Sequence, residues 1–106
     1  MMMHQVILCT CPNEASATQI ATTLVEEQLA ACANILPKIK SVYRWQGKVE
    51  QDNEYLLLIK TLETQFQPVK ERIQELHSYD VPEVIALNIQ QGNKEYLDWI
   101  SNSILL

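Results

Sequence analysis

Five consecutive apolar residues, Tyr55-Leu56-Leu57-Leu58-Ile59, constrain this chain more than anything else in it. Alternate side chains of a strand point to opposite faces, so an uninterrupted apolar run needs shelter on both sides. The run Val6-Ile7-Leu8-Cys9-Thr10-Cys11, stopped by Pro12, reads as a second strand of nearly the same kind. A sheet containing these two strands has two faces to cover.

The rest of the chain supplies cover for one face. Asn13 stands in an N-cap position with Glu14 in the first turn. Ala17, Ile20, Ala21, Leu24, Val25 and Leu29 follow at helical spacing, which predicts a helix of about four turns. Thr64 and Gln67 have the spacing of a capping box, with Pro68 tolerated in the first turn. Phe66, Val69, Ile73 and Leu76 then mark a second amphipathic stripe, ending near His77. Between the helices, Ile39, Val42, Tyr43 and Trp45 predict a strand with a bulge or edge at Pro37. Gln46-Gly47 is a two-residue hairpin turn, and Val49 onward is the returning strand. Val84–Ile89 predicts a fourth strand, and Asn93 caps a last helix carrying Tyr96, Leu97, Ile100 and Ile104.

The order β-α-β-β-α-β plus a helix is the split βαβ, or ferredoxin-like, pattern of an α+β domain. Right-handed crossovers put both crossover helices on the same face. The other face is then bare, and covering several hundred Å² at ~25 cal/mol per Å² is worth several kcal/mol. Two covers suggest themselves: further copies of the same chain, or the C-terminal helix folding back. The hairpin arms, about ten residues or ~33 Å each, exceed what a small sheet needs. Their tip, with Tyr43, Arg44 and Trp45, is expected to project and to pair with a neighbour.

Composition narrows the function classes. At 106 residues the chain is one domain, 1–106, with residues 1–4 expected to be flexible and His4 a ligand only by accident. A net charge of −5 without a basic patch argues against nucleic-acid binding. No apolar stretch approaches the ~18 residues of a membrane span, and no signal peptide precedes Cys11-Pro12. The expected compartment is the cytoplasm, with Cys9, Cys11 and Cys32 as reduced thiols. No nucleophile with a base and an orienter is readable, so catalysis is not expected.

The residues offer one constellation for metal chemistry. Cys9 and Cys11, two apart on a strand, point to one face at a Cα spacing of ~6.6–7 Å. That is too wide for an easy disulfide, yet two thiolates can converge on a soft ion such as Cu(I). Equally, all three cysteines serve as small buried hydrophobes. His77, at a helix end, suits either the last carbonyls of the helix or a metal, with Glu83 the nearest carboxylate partner.

Several segments in one order resemble a known family. Leu29-Ala30-Ala31-Cys32-Ala33-Asn34-Ile35-Leu36-Pro37 resembles its LAAC-x-N-I-x-P segment, and Ser41–Lys48 its hairpin tip. His77–Glu83 resembles its H-P-Y-x-x-P-E turn, and Tyr96-Leu97-Asp98-Trp99-Ile100 its C-terminal helix. From Val6 to Ile100 the chain is similar to the CutA divalent-cation tolerance proteins. Two positions depart from the pattern: Ser78 replaces a proline, and Lys38 stands where glycine is common.

The resemblance implies a ferredoxin-like fold, a homotrimer similar to that of the PII nitrogen regulators, and a cytoplasmic role in tolerance of divalent metals, copper above all. It implies metal-binding positions at Cys9 and Cys32, with no obligatory cofactor and copper or another divalent cation as ligand. It also implies an intersubunit cleft lined by Trp45, Glu54, Lys60, Tyr79 and Glu83, suited to a small anionic or amphipathic ligand. The alternative is a PII-like signalling or scaffold trimer that binds a small molecule or a partner in those clefts, without physiological metal. Trp45 and Tyr43 serve equally well as interface anchors.

Overall fold

Period-two alternation decides which side of the sheet each side chain takes, and the strand pairing makes that assignment explicit. The computed structural model describes residues 3–105. Strand β1 (His4–Cys11) leads through helix α1 (Glu14–Glu26) to β2 (Cys32–Trp45) and β3 (Lys48–Leu62). A short 3-10 turn (Glu63–Gln65) opens helix α2 (Phe66–Leu76), followed by β4 (Ile85–Asn88) and helix α3 (Lys94–Ser103). The four strands form one antiparallel sheet in the order β2-β3-β1-β4. This is the α+β arrangement that the element order predicts.

One face carries Ile7, Cys9 and Cys11 of β1 and Leu57 and Ile59 of β3. Ala17, Ile20, Ala21 and Leu24 of α1, with Val69 and Ile73 of α2, close over them. The opposite face is ordered in rows across the sheet. Ile85, Leu8, Leu58 and Asn34 form one, and Leu87, Val6, Lys60 and Cys32 the next. Helix α3 folds back onto this face but covers only its end, where Ile100 and Ile104 pack with Leu62 and Ala31. Leu36, Ile85 and Leu87 stay 38 %, 50 % and 54 % exposed. Of the covers weighed from the sequence, the helix shelters one end, and the rest of the face lies open in the single chain.

Several local expectations are corrected. His4 belongs to no flexible start: it opens β1, pairs with Leu62, and its Nε2 lies 2.9 Å from both Leu97 O and Ser101 Oγ of α3. Met1 and Met2, also expected to be flexible, lie outside the described residues. The Thr64–Gln67 capping box does not form. The chain enters the 3-10 turn directly from the extended Leu62, leaving Thr64 inside it, and Gln67 Nε2 donates to Glu71 instead. Asn13 and Asn93 do cap: Asn13 Oδ1 accepts from Ser16 N–H at 2.8 Å, and Asn93 Oδ1 from Glu95 and Tyr96 N–H. Helix α1 is shorter than its apolar stripe suggests. It stops at Glu26, Val25 is 39 % exposed, and Leu29 lies beyond the end.

The reason is a left-handed residue, Gln28, at φ 58°. Gln28 N–H donates to Val25 O and Leu29 N–H to Leu24 O, the paired bonds of a Schellman ending. Glycine normally occupies that position, because a Cβ strains the left-handed backbone. Gln28→Gly should therefore raise stability by up to about 1 kcal/mol, read as a shift of the urea midpoint at constant slope. An unchanged or lower midpoint would mean that the Gln28 side chain contributes more than its backbone costs.

The hairpin follows the same rule. Gln46 (φ 49°) and Gly47 (φ 80°) make the two-residue turn with both residues left-handed. The register of β2 against β3 shifts between Leu36 and Ile39, so Pro37 sits in a bulge on an edge strand. Lys38 takes φ 52° there, the conformation that explains why glycine suits its position.

Candidate functional site

Two places concentrate chemistry, one on each side of β1. On the helix-covered face, Cys9 and Cys11 project side by side from β1, as alternation requires. The chain leaving α2 brings His77 over them. The ligand atoms of Cys9, Cys11 and His77 all lie within 4.8 Å of one another, and all three residues are buried. They form the only such convergence of three His, Cys, Asp or Glu side chains among the described residues.

The imidazole of His77 is fully engaged. Its Nε2 lies 2.7 Å from Thr10 O, and its Nδ1 accepts from Tyr79 N–H at 3.1 Å. That pairing requires the neutral ring protonated at Nε2. The histidine thus bonds the carbonyl of a neighbouring strand, not the last carbonyls of its own helix, and it pins the following turn to β1. Glu83, the carboxylate expected beside it, lines the adjoining cleft, near enough for its charge to act on the Cys9 thiol, but it does not join the cluster of ligand atoms. Cys9 is held above the ordinary thiol range by its interaction with the Cys11 thiol, then by burial. Both sulfurs are free thiols at 0 % exposure. Two sulfurs on opposite sides of one ion at ~2.3 Å per bond stand ~4.6 Å apart. The Cys9 and Cys11 sulfurs lie within 4.8 Å of each other, close enough for one ion to reach both.

Cys32 is not part of this cluster. It pairs with Lys60, whose side chain lies an odd number of residues from Leu57, the partner of Cys9, and so on the opposite face. There Cys32 Sγ lies 3.8 Å from Lys60 Nζ, and Lys60 also donates to the Asn34 side chain. Tyr96 of α3 completes the group, its hydroxyl pushed up by burial and then by Cys32.

The second place is a cleft of about 720 Å³ between the hairpin and the turn that follows α2. Thr10, Tyr43, Trp45, Glu54, Tyr79 and Glu83 are among its walls. Its anchor is Glu54, 8 % exposed, which accepts a 2.9 Å hydrogen bond from Tyr79 Oη. Burial, and then this bond to Glu54, raises the Tyr79 hydroxyl above its ordinary range. Tyr43 donates to Asp52, a bond that pushes its hydroxyl up to about 12. The tyrosines are thus fixed by carboxylates, while Trp45 is 61 % exposed at the hairpin tip.

Four of the five cleft residues named from the sequence therefore meet in one chain: Trp45, Glu54, Tyr79 and Glu83. Lys60 stands apart, six residues along β3 from Glu54, or ~20 Å at strand rise. Asp80 and Tyr43 also line the cleft and were not singled out for it. No periodic signal marks Asp80, because the turn from His77 to Glu83 is placed by the imidazole bonds to Thr10 and Tyr79.

Comparison with known proteins places these residues in context. The family model described as CutA1 divalent ion tolerance protein matches residues 5–103. A divalent-cation tolerance protein CutA from Thermus thermophilus is 55% identical over 98 residues, covering 92% of this chain and 95% of that protein. A chloroplastic CutA protein of Arabidopsis thaliana is 49% identical over 92% of this chain, which spans 54% of that relative's length. The solved structure of a Thermus thermophilus divalent cation tolerance protein superposes with a TM-score of 0.95 at 53% identity, covering 96% of this chain and 99% of the other.

Proposed function

The chain belongs to the CutA1 divalent ion tolerance family, and from that premise we propose that it serves metal tolerance as a cytoplasmic homotrimer that binds copper. The reading is carried by one observation: two buried thiols and an imidazole whose ligand atoms lie within 4.8 Å of one another. Soft sulfur ligands select Cu(I), and a reducing compartment keeps those thiols free to bind it. Cys9 and Cys11 hold the ion, and His77 stays on its backbone partners as the group that fixes the turn. No cofactor is required. The half-exposed Ile85 and Leu87 and the partly covered Leu8 and Leu58 support assembly, because a second and third copy would bury that face.

The test is a Cu(I) titration in competition with a chromophoric chelator. Cys9→Ser and Cys11→Ser should each weaken binding by about tenfold or more, since two sulfur ligands become one. Cys32→Ser, on the other face, should leave it unchanged. Binding should also strengthen as pH rises, because each thiol must release its proton and Cys9 holds its proton more tightly than usual. Equal affinity in all three variants and the parent would remove copper from this cluster.

A second reading is favoured by a different observation, the cleft around the buried Glu54–Tyr79 pair. In it the trimer is a PII-like signalling or scaffold protein, and copies of the cleft, completed by neighbouring chains, bind a small molecule.

A further inference from the structure

We propose that His77 is a latch over the Cys9–Cys11 pair: an ion bound there enters and leaves when the turn after α2 lifts, and the site stores metal instead of passing it on. The inference rests on the reading of the two thiols as a copper site and names how that site is regulated.

Burial comes first. Cys9 and Cys11 are 0 % exposed within one chain. Neighbouring copies add cover to a chain and remove none, so assembly leaves this burial in place. On one side of the sulfurs lies the sheet, where β1 is held to β3 along its whole length. On the other lies α1, whose Ala17, Ile20 and Ala21 belong to the same packed cluster. Both walls are regular structure, in which opening a path breaks many backbone hydrogen bonds together.

The third wall is different. Residues 77–84 belong to no helix or strand. Their start is tied to β1 through one side chain, His77, whose ligand atom lies within 4.8 Å of both sulfurs. Its Nε2 is 2.7 Å from Thr10 O, and its Nδ1 accepts from Tyr79 N–H at 3.1 Å. Tyr79 adds a second tie. Its hydroxyl donates to Glu54 at 2.9 Å, and its ring leans on the imidazole at 4.6 Å between centroids. Breaking these few bonds lifts the turn while sheet and helix stay intact, a local opening far less costly than unfolding.

Access decides what kind of metal site this is. An ion passes between proteins when an incoming ligand attacks it, and the shell around the site controls that approach. Two sulfurs beneath a closed ring offer no open side. The imidazole is committed to backbone partners through both nitrogens, so it shields the ion without ligating it. Slow release from such a site keeps a reactive soft ion out of circulation, which is a use of the cluster in tolerance that needs no partner to receive the metal.

The experiment has two parts, both on the intact protein carrying Cys32→Ser, so that Cys9 and Cys11 alone report. In the first, dithionitrobenzoate labels the metal-free thiols. Labelling should be at least about a hundredfold slower than in the urea-unfolded chain. His77→Ala should speed it by about tenfold or more, because two hydrogen bonds are lost. In the second, Cu(I) is transferred from the protein to excess bicinchoninate. Transfer should also be about tenfold faster in His77→Ala, while the equilibrium affinity moves by less than about threefold, since a latch changes entry and exit alike. An affinity loss as large as the gain in rate would overturn the latch and make His77 a ligand. Equal labelling and transfer rates in parent and variant would overturn it as well. Tyr79→Phe cuts the tie to Glu54 and leaves the imidazole in place, so it carries the test if His77→Ala does not fold. It should speed labelling by about threefold or more, and no gain there would count against the latch. If the parent binds no Cu(I), the copper reading fails, and the labelling rates still decide whether the turn guards the thiols.

Discussion

Ile85→Glu should convert the protein from an assembly into single chains. In light scattering at micromolar concentration, the parent is expected to show the mass of three 12.2 kDa chains and the variant the mass of one. Ile85 is half exposed within the chain, so the new carboxylate costs an isolated subunit little. It heads the row Ile85, Leu8, Leu58, and across an interface it would be driven into an apolar surface with no counter-charge. That costs several kcal/mol; a penalty of about 4 kcal/mol weakens association roughly a thousandfold. Ser78→Glu, in the exposed turn after α2, is the control that adds the same charge off this face and should leave the mass unchanged. A parent that runs as a folded single chain at these concentrations would end the trimer reading. A variant that keeps the full mass would place the interface on some other surface.

Leu24→Ala should lower stability by about 2–5 kcal/mol, the range for deleting a buried leucine side chain when its surroundings relax only in part. Leu24 is fully buried between α1 and the sheet, in the cluster that also holds Ile20, Ile59 and Ile73. Val25→Ala, one residue on, should shift stability by under about 0.5 kcal/mol, because Val25 faces out. The pair separates a packing effect from a helix-propensity effect, since alanine is the better helix former at both sites. Denaturant midpoints compared at equal slope are the measurement. Equal losses at the two positions would mean that burial in the single chain is not what stabilises α1, and that Val25 is covered in the assembly.

Much of the fold was legible because it rests on periodicity. The alternation around Ile7, Cys9 and Cys11, the stripes of α1 and α2, and the caps at Asn13 and Asn93 each follow from residues a few positions apart. The turn at Gln46-Gly47 is equally local, since two left-handed residues bring the strands back with the right twist. The misses share a different cause. His4 reads as part of a loose end because its partners, Leu97 and Ser101, lie more than ninety residues away. Thr64 has the spacing of a cap, but β3 delivers the chain into a 3-10 turn before the helix can start there.

The candidate sites divide the same way. That Cys9 and Cys11 share a face is a property of any strand, and the sequence by itself determined it, along with the two-sided apolar character of Leu56–Ile59 and the net charge of −5. Only the tertiary structure decided that His77 closes over those thiols, that Cys32 stands on the other side of the sheet, and that Lys60 is remote from a cleft walled by acids and aromatic rings. The reason is one of range. Periodicity and turn chemistry act over a few residues, where the covalent chain enforces the geometry. The meeting of His77 with Thr10, or of Tyr79 with Glu54, is set by how a whole helix packs and where it releases the chain.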